Sequence, residues 1–156
     1  MERRQLIRSA GFALAAALVT TRDATAQAQQ PTAKGTGGHH AHHGTSAKTE
    51  LLVDALNECI SKGEACLAHC LILLGEGDKS VAACARSVVE TVALCEGLRK
   101  LAAQGSKRAP ELARMARAAC LDCEKECRKH ENKHAECREC AKACAACAKE
   151  CESFAA

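Results

Sequence analysis

The segment from Cys137 to Cys151 is the feature that most constrains the fold of this chain. It reads CRECAKACAACAKEC, with five cysteines at alternating steps of three and four residues. On an α-helix this spacing places all five thiols along one face. The intervening Ala, Glu, Lys and Arg residues favour helix, and the segment contains no Gly or Pro. The sequence therefore predicts a helix whose buried seam is made of sulfur instead of leucine.

The composition of the chain supports an all-helical core of small side chains. Its 156 residues include thirteen cysteines but only two Phe and no Tyr or Trp. Large aromatics therefore cannot be the main source of stability, and the core must consist of Leu, Val, Ile, Ala and Cys. The formal net charge is +3, with acids and bases interleaved and no basic block. This pattern does not favour binding of nucleic acid.

Residues 1–26 have the pattern of an export signal. Arg3 and Arg4 precede a short apolar run at residues 9–19, and Ala-Thr-Ala at residues 24–26 suits a cleavage site. The run is shorter than the roughly 20 apolar residues of a transmembrane helix. The paired arginines favour the twin-arginine route, with an ordinary Sec signal as the alternative. We expect export to the periplasm of a Gram-negative bacterium, without membrane attachment after cleavage.

Residues 27–48 are predicted to form a linker that contains Pro31, several glycines and four histidines. A short histidine tract can bind Cu or Zn weakly, but a polar tail with incidental histidines is the favoured interpretation of this composition. The histidines are His39, His40, His42 and His43.

Residues 49–156 are predicted to form an antiparallel four-helix bundle. The period of 3.6 residues predicts helices at 49–74, 79–103, 110–129 and 133–153, joined by short loops. On these helices every cysteine falls on the face that carries the other apolar residues, so cysteines should line the core. The predicted inward thiols, which are also the candidate metal ligands, are Cys59, Cys66, Cys70, Cys84, Cys95, Cys120, Cys123, Cys127, Cys137, Cys140, Cys144, Cys147 and Cys151.

Disulfides and zinc each explain only part of this pattern. An odd number of cysteines cannot pair completely within one chain, and neighbours along a helix lie about 5–6 Å apart at Cβ, too far for a disulfide. Disulfides between cysteines on different helices remain geometrically possible. Structural zinc sites use separate groups of four ligands, usually presented from loops. Here CxxC and CxxxC spacings overlap within helices, and no spacing typical of ferredoxin clusters or haem attachment occurs.

Many Cu(I) ions fit a core of this kind better. Cu(I) is soft, prefers thiolates and accepts few ligands, so thiolates one helical turn apart can share an ion. A buried uncompensated thiolate is very costly, and one Cu⁺ for each thiolate leaves the core nearly neutral. Divalent zinc at the same ratio would leave an excess of positive charge. The sequence therefore predicts roughly one Cu(I) ion for each cysteine.

The twin-arginine-like leader and the inward CxxC and CxxxC ladders resemble those of the exported copper storage proteins. The resemblance covers residues 49–154 and, in type, the leader. It implies Cu(I) stored in bulk inside the bundle, mainly two-thiolate coordination, and a homotetramer. A copper-requiring enzyme or a copper chaperone is a candidate partner.

The same resemblance implies that His or Met residues near an open end of the bundle help copper ions to enter. His130 and His134 flank the last turn between helices and are the candidates, with Met115 further along the third helix. His69 lies beside the cysteine seam, where the pattern favours a surface histidine.

The favoured hypothesis is thus a binding protein rather than an enzyme. The alternatives are a disulfide-stapled helical module, or a module with a discrete zinc or redox site. A redox or catalytic site would call for a single reactive Cys beside His, whereas this sequence distributes its thiols along four helices.

Overall fold

The computed structural model describes residues 46–156, which form four α-helices. They are α1 (Ala47–Gly75), α2 (Ala82–Ala103), α3 (Ala109–Arg128) and α4 (Ala135–Ala155). The described residues contain no strand. The predicted all-α class and the four-helix bundle are confirmed. The signal at 1–26 and the tract His39–His43 lie outside the described residues.

The helix ends follow local capping chemistry. The Ser46 side chain accepts a hydrogen bond from the backbone N–H of Thr49 at 3.3 Å and caps α1. After α1 and after α2 the chain turns through Gly77 (φ 96°) and Gly105 (φ 64°), a backbone region that glycine adopts without steric cost. Pro110 occupies the first turn of α3, where its missing N–H is no disadvantage.

Two helices begin later than the sequence predicted. Residues Lys79–Val81 form a 3₁₀ turn, since the Asp78 carboxylate accepts a hydrogen bond from the backbone N–H of Ser80 at 2.9 Å. α2 therefore starts at Ala82 instead of residue 79. His134 is extended (φ −127°, ψ 116°) and caps α4, which starts at Ala135 instead of residue 133.

The four helices form a square in which each helix packs against two neighbours. α1 contacts α2 and α4, and α3 contacts the same two helices, whereas the backbones of the diagonal pairs do not contact one another. The antiparallel order places the end of α1 and the start of α4 at one end of the bundle. We call it the histidine end, defined by His69, His130 and His134. A central column between the four helices is thus left for side chains.

The opposite end of the bundle is filled by leucine. Leu52 and Leu56 on α1 and Leu98 on α2 are fully buried there, and the partly buried Phe154 of α4 packs against the same core. We call it the leucine end, defined by Leu52, Leu56 and Leu98. The largest buried side chains of the bundle are therefore concentrated away from the histidines.

Between the two ends the helices approach closely because small residues face one another. A Cβ atom added to Gly63 of α1 would lie 2.7 Å from Cγ2 of Val92 on α2, so the spacing of these helices depends on glycine at this position. Thr91 is the one buried polar side chain among residues 46–156. Its hydroxyl donates a hydrogen bond to the backbone oxygen of Ala119 at 3.0 Å and joins α2 to α3.

No helix in the described part of the chain has the length and apolar character needed to cross a bilayer.

Candidate metal centre

The candidate metal centre is a column of buried thiols along the bundle axis. All thirteen cysteines predicted to face inward are buried and free of disulfides, and none is more than 1% exposed. The helical period alone places them there, because steps of three and four residues keep each thiol on the inner face of its helix. The fold therefore buries all thirteen cysteine sulfurs in one core.

Neighbouring sulfurs along the column lie close enough to share ions. The shortest separation is 3.3 Å, between the Sγ atoms of Cys84 and Cys127. Several contacts join thiols that are far apart in sequence, such as Cys59 and Cys144 at 3.9 Å. Thiols on one helix are also close, with Cys147 and Cys151 at 4.0 Å. The column is therefore continuous across helices as well as along them.

Four of these thiols form a set to which each helix contributes one sulfur. Their Sγ atoms all lie within 4.8 Å of one another, and each residue is more than one turn from both ends of its helix. We call this set the central four-thiol group: Cys59, Cys95, Cys120 and Cys147.

A second set of four thiols lies at the histidine end, and all its Sγ atoms are again within 4.8 Å of one another. We call it the end four-thiol group: Cys66, Cys70, Cys84 and Cys137. Two groups of three lie between the sets: Cys66, Cys127 and Cys140, and Cys123, Cys140 and Cys144. The end group shares Cys66 with the first group of three and the two groups of three share Cys140, whereas the central group shares no thiol with another group.

Burial and mutual hydrogen bonding shift the pKa values of the thiols in opposite directions. Burial raises the pKa of the Cys70 thiol, and the neighbouring Cys84 and Cys66 raise it further. Hydrogen bonds with Cys144 and Cys147 lower the pKa of Cys120 to about 6. The pKa of Cys144 is raised in turn by hydrogen bonding with Cys120 and with other neighbouring thiols. A metal ion that binds here must displace shared protons.

The thiol column contains no fixed charge of its own. Among residues 46–156 no Asp, Glu, Lys or Arg is buried, and Thr91 is the one buried polar residue. Ionised thiolates in the column could therefore be neutralised only by bound cations or by the ends of helices. Monovalent cations at about one for each thiolate satisfy this condition.

A cluster of imidazoles lies over one end of the column. Nε2 of His69 is 3.0 Å from Nδ1 of His134, and the ring centroids of His130 and His134 are 6.5 Å apart. The carboxylate Oε2 of Glu136 lies 3.8 Å from Nε2 of His69. These three histidines are half-buried, so their side chains are partly accessible to solvent.

The pairing of His69 with His134 was not predicted. The sequence favoured a surface location for His69, but the residue is half-buried and contacts His134, which is 65 positions away. The predicted topology already implied that His69 and His134 lie near each other, because an antiparallel bundle brings the end of the first helix beside the start of the fourth.

Met115 does not join this cluster. Its side chain is 55% exposed on α3, and it lies thirteen residues before Arg128, the last residue of that helix. This separation corresponds to about 20 Å along the helix axis at about 1.5 Å per residue. Met115 thus faces outward and lies nearer the leucine end, so its position does not support grouping it with His130 and His134.

Comparison with known proteins points to one family. The model of the copper storage protein family, Csp, matches residues 45–156. The solved structure of metal-free copper storage protein 3 from Bacillus subtilis is 30% identical with a TM-score of 0.62, and the match covers 69% of this chain and 99% of that one. A Cu(I)-bound structure of copper storage protein BsCsp3 is 28% identical with a TM-score of 0.62, covering 70% and 99%.

A third structure, the copper storage protein Ccsp from Streptomyces lividans loaded with 10 copper equivalents, is 20% identical with a TM-score of 0.65. The match covers 72% of this chain and 88% of that one, and at this identity it supports the fold alone. A search of curated proteins found no match.

Proposed function

Because this chain belongs to the copper storage protein family, we propose that it stores many Cu(I) ions, about one for each cysteine, along its buried thiol column. The observation that carries the proposal is the continuous column itself, with thirteen buried free thiols and no buried charged side chain in the described residues. One Cu⁺ on each thiolate keeps such an interior neutral. Two-coordinate Cu(I) needs little movement where sulfurs lie 3.3–4.0 Å apart.

The chain acts as a binding protein in this proposal, without a catalytic reaction. Uptake exchanges a proton for a copper ion at each thiol, so loading should become more favourable as the pH rises. The raised pKa of Cys70 makes this exchange harder at low pH for that thiol. Acidification is thus a physical route to release.

An anaerobic titration of the reduced, metal-free chain with Cu(I), against a competing chelator, tests this function. We expect about ten or more ions to bind to each chain, in line with one monovalent ion for each thiolate. Saturation after one or two ions would overturn the proposal and favour a discrete metal site. A free-thiol assay before the titration distinguishes a disulfide-stapled module, in which few thiols would react.

Copper enters the column at the histidine end in this proposal. The contact of His69 with His134 lies beside Cys70 and near the first turn of α4, whereas the opposite end is filled by buried leucines. Imidazole is a suitable ligand for copper. These rings can accept an ion from outside and pass it to the first thiols.

Replacing His69 by alanine should slow copper uptake without changing the final capacity. We expect the rate to fall by about tenfold, equivalent to about 1.4 kcal/mol on the barrier, because one side of the imidazole pair is lost while all thiols remain. Stopped-flow transfer of Cu(I) from a coloured chelator complex measures the rate. Met115→Ala is the matched control, since it removes an exposed sulfur far from the histidines and should leave the rate unchanged. Equal rates for the two variants would contradict uptake through this end.

Export and assembly complete the proposal. Residues 1–26 would direct the chain to the periplasm, by the twin-arginine route if it is exported already folded. The bundles would assemble as a homotetramer, and a copper-requiring enzyme or a chaperone would receive the stored copper. These statements follow from the leader sequence and from the resemblance to exported copper storage proteins.

A further inference from the structure

The two four-thiol groups are alike in composition but differ in electrostatic surroundings. The central four-thiol group lies in the middle of the bundle, and the end four-thiol group lies at the histidine end. Cu⁺ does not distinguish them by charge, because it neutralises one thiolate at a time. A divalent ion bound by four thiolates is different, because the complex keeps two net negative charges that its surroundings must stabilise.

The geometry of the end four-thiol group suits a tetrahedral ion. A tetrahedron with metal–sulfur bonds of about 2.3 Å has sulfurs about 3.8 Å apart. Sγ of Cys66 lies 3.8 Å from that of Cys137 and 4.0 Å from that of Cys84. All sulfurs of the group, including Cys70, are within 4.8 Å of one another. Small side-chain adjustments would therefore close the site.

Two members of the end four-thiol group lie in the first turn of a helix. Cys84 is the third residue of α2 and Cys137 is the third residue of α4. The N-terminus of a helix carries about half a positive elementary charge, and this position stabilises thiolates. Cys70 lies five residues before the end of α1, beyond the last turn in which the opposite dipole acts.

The central four-thiol group lacks this stabilisation. Its residues are more than one turn from every helix end, and the described part of the chain has no buried charged side chain that could act instead. A complex with two net negative charges would therefore be buried there without compensation. The end four-thiol group also lies at the same end of the bundle as the half-buried histidines, where water can approach.

We propose that Cys66, Cys70, Cys84 and Cys137 form a site for one soft divalent cation of the zinc class, and that the central four-thiol group does not bind such an ion. Binding displaces the thiol protons and leaves a tetrathiolate complex at the histidine end. The site does not depend on copper storage. A divalent ion bound here would occupy the first thiols that an incoming Cu⁺ meets.

An anaerobic titration of the reduced, metal-free chain with Co²⁺ tests this site, because Co²⁺ reports tetrahedral thiolate ligation through its sulfur-to-metal absorption. We expect about one Co²⁺ per chain, the content of a single four-ligand site, and displacement of that ion by Zn²⁺. Ions held by nitrogen or oxygen ligands elsewhere do not give the thiolate band, so they do not interfere.

The matched variants remove two thiols from one group at a time. Cys70→Ala/Cys137→Ala should abolish the tetrathiolate spectrum, since neither residue belongs to another thiol group. Cys95→Ala/Cys120→Ala removes two thiols from the central group and should retain it. The proposal would be overturned if both variants lost the tetrathiolate spectrum, if both retained it, or if only the Cys95→Ala/Cys120→Ala variant lost it. Two or more thiolate-bound Co²⁺ ions per chain would also overturn it.

Circular dichroism establishes whether each variant keeps its helices. If the Cys70→Ala/Cys137→Ala chain does not fold, the single variants replace it. Each should then convert the tetrathiolate spectrum to that of a site with three thiolates, and an unchanged spectrum would overturn the assignment. The Cu(I) capacity of the wild-type chain, measured separately, is unaffected by either result, so failure of this site is distinguishable from failure of copper storage.

Discussion

Replacing Cys59, Cys95, Cys120 and Cys147 together by alanine should lower the Cu(I) capacity by about four ions per chain. The physical reason is charge, because each Cu⁺ is held in the buried core by the thiolate that it neutralises. These four residues contribute one sulfur from each helix and lie within 4.8 Å of one another. Removing them interrupts the column on its leucine side, where the Cys151 thiol alone lies beyond them.

The measurement is an anaerobic Cu(I) titration, with circular dichroism to confirm that the variant keeps its helices. Cys151→Ala is the graded control, since it removes one buried thiol near the end of α4 and should reduce the capacity by about one ion. An unchanged capacity in the fourfold variant would show that copper is bound elsewhere. A loss much larger than four would contradict a capacity of one ion for each remaining thiolate.

Replacing Leu56 by alanine should destabilise the metal-free bundle by about 2–5 kcal/mol. Leu56 is fully buried at the leucine end, and the core that it belongs to consists mainly of Ala and Cys. Such short side chains cannot move far enough to fill the space left by a missing isobutyl group. The loss is a large fraction of the total stability of a small domain, which is about 5–15 kcal/mol.

Urea unfolding of the reduced, metal-free chain measures this effect. Leu51→Ala is the matched control, because Leu51 precedes Leu52 on the same helix and is 58% exposed. Its free energy of unfolding should stay within about 0.5 kcal/mol of the wild type. The Cu(I) capacity of Leu56→Ala should be unchanged, since no thiol is removed. Equal destabilisation by the two leucine variants would contradict the location of the core at this end.

Much of the fold follows from local pattern. The steps of three and four residues between cysteines and leucines specify helices and their inner faces, because a side chain's direction repeats every 3.6 residues. The predicted helix at 49–74 corresponds to α1 at Ala47–Gly75. Larger differences occur where a side chain competes for the backbone, as at Asp78, whose hydrogen bond to Ser80 stabilises a 3₁₀ turn in place of the first turn of α2.

The sequence was less informative about the two ends of the bundle. The positions of His130 and His134 near a turn could be predicted, but the contact between His69 and His134 depends on how the first and fourth helices align. Met115 was grouped with the histidines through the resemblance to the exported copper storage proteins, and its location on the outer face of α3 shows that residue type does not specify orientation.

The formation of helices and the joint burial of thirteen thiols follow from the sequence pattern, because helical periodicity acts within each segment. Which thiols meet, such as Cys59 with Cys144 across 85 positions, is set by the packing of the helices. The same packing places two first-turn thiols in one four-thiol group and none in the other. These features depend on the rotation and axial shift of each helix against its neighbours. Interhelical packing, such as the close approach at Gly63, sets both quantities, and no single helix contains that information.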